Sequence, residues 1–547
     1  MSTDVERIKQ ASRGLRGTLS ESLVDPLTGA IRADDTTLSK FHGIYQQDDR
    51  DLRLERQRQK LEPAFQFMIR ARVPGGICTT EQWLAMTRIS REISDGTLRL
   101  TTRQAFQWHG VLKAGLKPLI QTIDSVLMDT LAACGDVNRN VMASPNPHRS
   151  KLHAKLHEVT LSLSQHLTPR TGAYHEIWLD GEKLARDEPE EEPIYGPAYL
   201  PRKFKISLAI PPDNDVDVFA QDLGFIGIVE DEELIGFNVT VGGGMGATHG
   251  DPQTYPRLAD VIGFCRPEDV NHVAEHVVGV QRDFGNREVR KRARMKYTID
   301  DRGLDWFVAE LNSRLREPLA PARSFRFGRH TDRYGWVEGD DGLWHHTVYV
   351  QNGRLHADQL DALEGIATAL PDVSWILTPN QNLAVANVPA DGRAIVEAQL
   401  EAAGLMGSVT PLRAASIACV SMPTCGLGMA EAERYLPTLV DHLEAVFAEA
   451  GVPESDTVIR MTGCPNGCAR PYVAEIGFVG KAPGRYNVHL GGDGRGQALN
   501  TLWAENRDEA EILDGLRPVI ERWAAERENG ERFGTWVRRT GIVEEAA

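Results

Sequence analysis

Four of the chain's seven cysteines form two close pairs, Cys419-Val-Ser-Met-Pro-Thr-Cys425 and Cys464-Pro-Asn-Gly-Cys468, with five and three residues between the thiols. Soft thiolate ligands select zinc or an iron-sulfur cluster. Structural zinc knuckles place two to four residues between ligands, so the five-residue gap suits zinc poorly, whereas cluster ligation tolerates varied gaps. Buried thiols or a structural zinc remain the plain alternative. A second set is basic. Arg99, Arg103, Gln107 and His109 differ by even steps, so in one regular strand over residues 98–108 and just beyond they would share a face. His109 alone reads as a satisfied core histidine, but two arginines on the same strand raise its interest. Lys203 and Lys205 alternate similarly in a strand expected over 199–210, which leads into an apolar run. Edge lysines that deter aggregation explain such a pair, and so does a bound anion, because burying two ammonium groups requires one.

Elements must carry these groups together. Between the cysteine pairs, Leu436, Leu439, Val440, Leu443, Val446 and Phe447 recur every three or four residues, which predicts a helix within 428–451 that Pro437 starts or kinks. A strand from Phe65 breaks at Pro74-Gly75-Gly76, and a helix follows over 80–93 with Thr80 as its cap. Residues 79–111 match 356–388 at a constant offset of 277 without a gap: Gln82 with Gln359, Ile89 with Ile366, Leu100-Thr101 with Leu377-Thr378, Gln104 with Gln381. Both copies read as strand, helix and strand, an internal duplication. A looser echo pairs Asn238-Val-Thr-Val-Gly-Gly with Asn487-Val-His-Leu-Gly-Gly. The copies differ where charge matters, since Arg99, Arg103, Gln107 and His109 face Ile376, Asn380, Ala384 and Ala386. A ligand between two related halves is the natural consequence. Further helices are expected over 151–166 and over 509–527, the latter kinked or split by Pro518.

The 547 residues exceed what one core supports, so about two to four domains are expected. A net charge of -16 argues against nucleic-acid and anionic-membrane surfaces. No apolar run approaches the roughly 20 residues that span a bilayer. The charged N-terminus lacks a signal core, and an odd cysteine count does not suit a secreted disulfide framework, so a cytoplasmic location is expected. Residues 1–64 look too polar for their own core, and wrap another domain or form a solvated arm. The acidic run 187–193 is expected to be solvated and mobile, and residues 131–150, with Asn138-Arg139-Asn140 and Ser144-Pro-Asn-Pro147, read as a polar loop. The basic stretch 287–296 is a cluster of positive charge in an acidic protein and reads most simply as a solvated helix face. Gly242-Gly-Gly-Met-Gly-Ala247 has the form GxGxxA, but His249-Gly-Asp-Pro stands where a phosphate-binding helix should begin, so no dinucleotide site is assigned.

With both cysteine loops, Arg70-Ala-Arg-Val-Pro-Gly-Gly, Thr102-Arg-Gln-Ala-Phe-Gln-Trp-His-Gly, Asn138-Arg-Asn, Leu200-Pro-Arg-Lys-Phe-Lys and Arg294-Met-Lys-Tyr, the chain resembles the sulfite and nitrite reductase family, and within it the assimilatory sulfite reductase hemoproteins. The resemblance implies an α+β, three-domain fold with an internal pseudo-twofold duplication. It implies an N-terminal segment 1–64 packing with the C-terminal domain, a central ferredoxin-like domain of 65–131 plus 335–408, a siroheme- and substrate-binding domain 132–334, and an iron-sulfur domain 409–547. It implies a 4Fe-4S cluster on Cys419, Cys425, Cys464 and Cys468, with Cys468 bridging to the iron of siroheme. Arg70, Arg139, Lys203 and Lys205 would then hold the substrate anion, while Arg99, Arg103, Gln107, His109 and Arg294 would contact the macrocycle. The implied reaction is six-electron reduction of sulfite to sulfide for cysteine biosynthesis. Family members acting on nitrite resemble Arg-Lys-Trp-Asn where this chain has Arg202-Lys-Phe-Lys205, so Lys205 favours sulfite; nitrite reduction and a non-catalytic zinc-stabilised binder are the alternatives. With no nucleotide motif, electrons must come from a partner, either an NADPH-oxidising flavoprotein subunit with FAD and FMN or ferredoxin.

Overall fold

The computed structural model describes residues 4–145, 150–178, 192–407 and 409–543. Most of the acidic run 187–193 and part of the expected loop 131–150 lie outside them; residues 131–143 are not a solvated loop, being almost wholly buried and including the strand Met142–Ala143.

The duplication governs the architecture. One five-stranded sheet has the order Ile44–Asp48, Phe65–Arg70, Phe106–Val111, Leu98–Leu100, Arg354–Leu355; a second has Gly335–Glu338, Trp344–Val348, Leu383–Val388, Ser374–Leu377, Ile77–Thr79. The short strands Ile77–Thr79 and Arg354–Leu355 are repeat mates at the 277-residue offset, and each completes the other copy's sheet. Neither half can close its ladder alone, so the two fold as one body. The helices Thr80–Glu92 and Ala357–Ala369 obey the same offset and carry matching capping boxes, Thr79 with Gln82 and His356 with Gln359. Thr79, not Thr80, is the cap: its side chain accepts from the Gln82 N–H at 3.2 Å, while Thr80 is already the first helical residue. Trp83 and Trp375 stack between the copies, with centroids 4.5 Å apart.

The looser echo marks a second duplication. Met142–Ala143, Ile206–Ala209 and Leu223–Glu230 run parallel, then Glu233–Val241 and Asp260–Cys265 return antiparallel; Ser416–Ala418, Ile459–Thr462, Ile476–Ala482, Arg485–Leu490 and Thr501–Arg507 repeat that pattern. Asn238 and Asn487 occupy the same antiparallel strand of each sheet. Leu223-Gly-Phe-Ile-Gly and Ile476-Gly-Phe-Val-Gly, in the preceding strands, are a clearer signal of it.

Three local expectations change. The helix between the cysteine pairs runs only over Leu436–Glu449, with Pro437 in its first turn where a missing N–H costs nothing. Residues 428–435 instead lie against the second cysteine loop, Met429 and Ala430 both donating to the Gly463 carbonyl. Pro518 sits inside one continuous helix, Glu509–Glu526. Residues 98–109 are two antiparallel strands joined by a turn at Thr101–Ala105, not one strand. The helix Lys151–His166 stands where its periodicity placed it.

Within residues 4–64, Ile8, Leu15, Leu19, Leu38, Phe41 and Ile44 enter the main core. The segment is anchored by its strand Ile44–Asp48 on Phe65–Arg70 and by Lys9, which donates to the Leu200 carbonyl at 2.7 Å, and it reaches the first cysteine loop through Arg50. Among the described residues no helix is long and apolar enough to cross a membrane.

Candidate functional site

The first cysteine loop leaves the strand Ser416–Ala418 and the second leaves Ile459–Thr462, two adjacent parallel strands, so both loops emerge at one edge. That common edge is what brings the two pairs together across about forty residues of sequence. The Gly463 N–H points at Cys419 Sγ, 3.4 Å away, and Asn466 Nδ2 at Cys464 Sγ, 3.5 Å away. Gly463 has no alternative: a Cβ there would collide with Ser421 Oγ and the Ala430 carbonyl. Burial first, and then the other cysteine sulfurs, push the thiols of Cys419 and Cys425 above their ordinary range and Cys464 to about 11. The sulfurs thus share one field, and a cationic centre must be present for several to ionise together. All seven cysteines are free thiols.

Of the four, Cys468 is the exposed one. It borders a cavity of about 350 Å³ that adjoins a second of about 710 Å³ and shares Lys203, Arg294 and Asn466 with it. Their walls carry Arg103, Arg202, Lys203, Lys205, Arg290, Lys291, Arg294 and Arg470 and no acidic residue, in a protein of net charge -16. Burial, followed by the neighbouring charges of Arg202, Arg139 and Arg294, lowers the Lys203 pKa to about 7. Burial first, and then the charges of Lys203, Arg103 and Arg294, takes Lys205 well below its ordinary value. Arg290, Lys291, Arg294 and Arg470 pair with carboxylates behind the wall, whereas Lys203 and Lys205, depressed by burial and like charges, favour an anion in the cleft.

The turn at Thr101–Ala105 aims Arg103 into this cavity, where its Nη1 donates to Gln221 Oε1 at 3.0 Å and its Nη2 to the Asn140 carbonyl at 2.5 Å. Its Nε has no protein partner, and neither has His109 Nε2 or Arg70 Nε. Buried polar atoms of this kind are expected to meet a ligand. The residues expected to share one strand face therefore divide. Arg99 and His109 turn toward the first cysteine loop: Arg99 Nη2 donates to the Ala418 carbonyl at 3.1 Å and its guanidinium pairs with Glu433, while His109 Nδ1 lies 3.3 Å from Thr424 Oγ1. Gln107 stands between, opposite both Arg99 and Arg70 in the ladder. His109 is held neutral, its pKa driven far down by burial and then by the charges of Arg354, Arg99 and Arg70.

Lys203 and Lys205 precede their strand, Ile206–Ala209, rather than lying in it. Phe204 between them bridges to Asn138, which sets Arg139 beside the pair, its N–H donating to the Phe204 carbonyl at 3.0 Å. Arg139 Nη2 lies 3.4 Å from the Tyr45 hydroxyl, and Arg70 Nη1 donates to Cys134 Sγ at 3.1 Å; neither arginine lines the two cavities. Arg294 is fixed by Asp222 through contacts of 2.9–3.0 Å. The basic stretch is thus no solvated helix face, since Arg287, Arg290, Arg292 and Arg294 each meet an acidic partner. The GxGxxA stretch wraps the second cysteine loop instead of a nucleotide, with the Ala247 N–H donating to the Pro465 carbonyl at 2.9 Å. Lys296, buried and lowered to about 6 by desolvation and Arg294, holds that stretch through the Gly244 and Gly246 carbonyls. Arg202, Gln221, Asn466 and Arg470 were not singled out from the sequence; only the position of Asn466 and Arg470 beside the second cysteine loop could have marked them.

A macrocycle bearing carboxylates fits this cleft on three counts: the acid-free lining, the unpartnered Nε of Arg103, and a single accessible thiol at its wall. A four-iron cluster fits the four thiols.

Comparison with known proteins agrees. The family model for the nitrite and sulphite reductase 4Fe-4S domain matches residues 160–319 and 413–545, and that for the nitrite/sulfite reductase ferredoxin-like half domain matches 58–126 and 337–403. The chain is 55% identical to the sulfite reductase [NADPH] hemoprotein beta-component of Shouchella clausii and to that of Bacillus subtilis, each over 99% of this chain and 96% of the relative. It is 56% identical to that of Myxococcus xanthus, over 99% and 97%. The structure of the Mycobacterium tuberculosis NirA protein superposes with a TM-score of 0.79 at 24% identity, covering 98% of this chain and 96% of that one, which shows a shared fold.

Proposed function

The chain belongs to the nitrite and sulfite reductase family, and on that premise we propose that it is the hemoprotein component of a sulfite reductase, reducing sulfite to sulfide for cysteine synthesis. Family members carry siroheme and a 4Fe-4S cluster, which when bound pass single electrons to the substrate. Cys419, Cys425, Cys464 and Cys468 would hold the cluster, and Cys468, the exposed one of the four, would face the siroheme. Arg103, Gln107, His109 and Arg294 would face the macrocycle, and Arg99 would act beside them from its contact with Glu433. Guanidinium forks suit carboxylates because they bind two oxygens at fixed geometry. Arg70, Arg139, Lys203 and Lys205 would hold the sulfite oxygens. Lys203, with a pKa of about 7, is half protonated at neutral pH, and so is matched to donate a proton as each S–O bond breaks. Anion binding favours the ammonium form and loads the donor when substrate arrives.

The observation that carries this reading is the acid-free cleft at which the Cys468 thiol is accessible. The domain boundaries expected above remain our division of the chain, with the exchanged short strands joining 65–131 to 335–408. The relatives are named for NADPH, which this chain has no motif to bind, so we assign electron delivery to a flavoprotein partner in the cytoplasm. Purified protein should show siroheme and cluster absorption and reduce sulfite with reduced methyl viologen. Colourless protein with bound zinc would overturn the assignment, nitrite turnover without sulfite turnover would move it to the nitrite branch, and activity with ferredoxin but not with a flavoprotein would replace the donor.

A further inference from the structure

Arg470 lies where the two copies of the central duplication meet. Its Nη1 donates to the Thr102 carbonyl and its Nη2 to the Pro379 carbonyl, both at 3.0 Å. Thr102 and Pro379 are one position of the repeat, 277 residues apart. A single guanidinium therefore bridges two equivalent turns, which places it on the pseudo-twofold axis. Its Nε donates to Asp217, whose other carboxylate oxygen lies 2.7 Å from His330 Nδ1. Asp217 and Arg470 are both buried, and both adopt positive φ, 48° and 57°, a backbone state that non-glycine residues keep when their surroundings impose it.

The bridge bears on the site because Arg470 is two residues beyond Cys468 and because the Thr102 hydroxyl donates to the Cys468 carbonyl at 3.1 Å. The next residue of that turn, Arg103, projects into the same cavity as Cys468. Any shift of one repeat copy against the other would thus move Cys468 relative to Arg103, and Arg470 opposes that shift with three donors in one rigid plane, which lysine cannot reproduce. We infer that Arg470, seated on Asp217, is a positioning residue that fixes Cys468 against the Thr102–Arg103 turn and so sets the alignment of the two cofactor sites. The inference rests on the cofactor reading proposed above.

Arg460 supplies the control. Its side chain pairs with the same Asp217 oxygen at 2.5 Å and approaches His330 Nδ1 at 3.5 Å, with no bond among the described residues to the turns or the cysteine loop. Holoprotein carrying Arg470→Lys, Arg470→Gln or Arg460→Gln should be compared with wild type by visible absorption, by electron paramagnetic resonance and by sulfite kinetics with reduced methyl viologen. Both Arg470 variants should shift the heme bands and lower kcat by about tenfold or more while KM for sulfite stays within about twofold, and Arg460→Gln should keep the wild-type spectra. If Arg470→Gln does not accumulate as folded holoprotein, Arg470→Lys decides alone. Wild-type spectra and kcat in Arg470→Lys would overturn the inference, as would the same spectral change in all three variants, which would make the network merely structural. Heme and cluster bands in wild type keep the cofactor reading standing in either case; their absence would sink both.

Discussion

Lys203 offers the sharpest test of the electrostatics, because its effect on stability is opposite to its effect on function. Its pKa falls from 10.5 to about 7. At about 1.4 kcal/mol per unit, holding the charged form in the empty fold costs roughly 5 kcal/mol. The side chain is partly open to the cleft, and solvent screening brings this to roughly 2 to 3 kcal/mol. Below pH 7 the lysine is charged whether folded or unfolded, so the cost is fully present. Between pH 7 and 10.5 the unfolded chain keeps a proton that the folded one has lost; the cost then fades, and wild-type stability rises with pH. Lys203→Met deletes the charge at similar length. Cofactor-free Lys203→Met should therefore unfold later than cofactor-free wild type at pH 6.5, and the gap should narrow by about 1 kcal/mol or more toward pH 9. In holoenzyme the same change should lower kcat/KM for sulfite about 10- to 100-fold, the worth of one charge-assisted contact. Thermal and urea unfolding across that pH range check the first part and steady-state kinetics the second. A variant that is less stable than wild type at pH 6.5, or a gap that ignores pH, would refute the reasoning.

Further changes probe other parts. Cys468→Ser should abolish sulfide production and alter the heme spectrum, measured on purified protein; unchanged heme loading, spectrum and activity would remove its bridging role. Lys205→Asn should cost about tenfold or more in kcat/KM for sulfite and less for nitrite, read from parallel assays of the two anions. Gly463→Ala should prevent cluster assembly, because its Cβ would displace the Ser421 side chain and the Ala430 backbone, and iron and sulfide analysis of the purified variant would show it. Trp83→Ala removes half of the stacked pair joining the repeat copies and should destabilise by about 3 to 5 kcal/mol, visible as a lower midpoint in thermal melting, with cofactor spectra retained in the folded fraction.

The sequence alone determined what depends on near neighbours. The cysteine spacings favoured a cluster over a zinc knuckle, the period of Leu436, Leu439, Val440 and Leu443 marked a helix, and the 277-residue offset revealed a duplication whose helices and caps obey it to the residue. These are readable because propensity, capping and periodicity act over a few positions. Tertiary structure alone decided that Ile77–Thr79 and Arg354–Leu355 change places between sheets, that a turn at Thr101–Ala105 sends Arg103 to one cavity and His109 to the other cysteine loop, and that Arg470 ties repeat mates together. It also decided the pKa of Lys203, since desolvation and the fields of Arg139 and Arg294 act through space between segments far apart in the chain, and no local pattern encodes which segments the fold will press together.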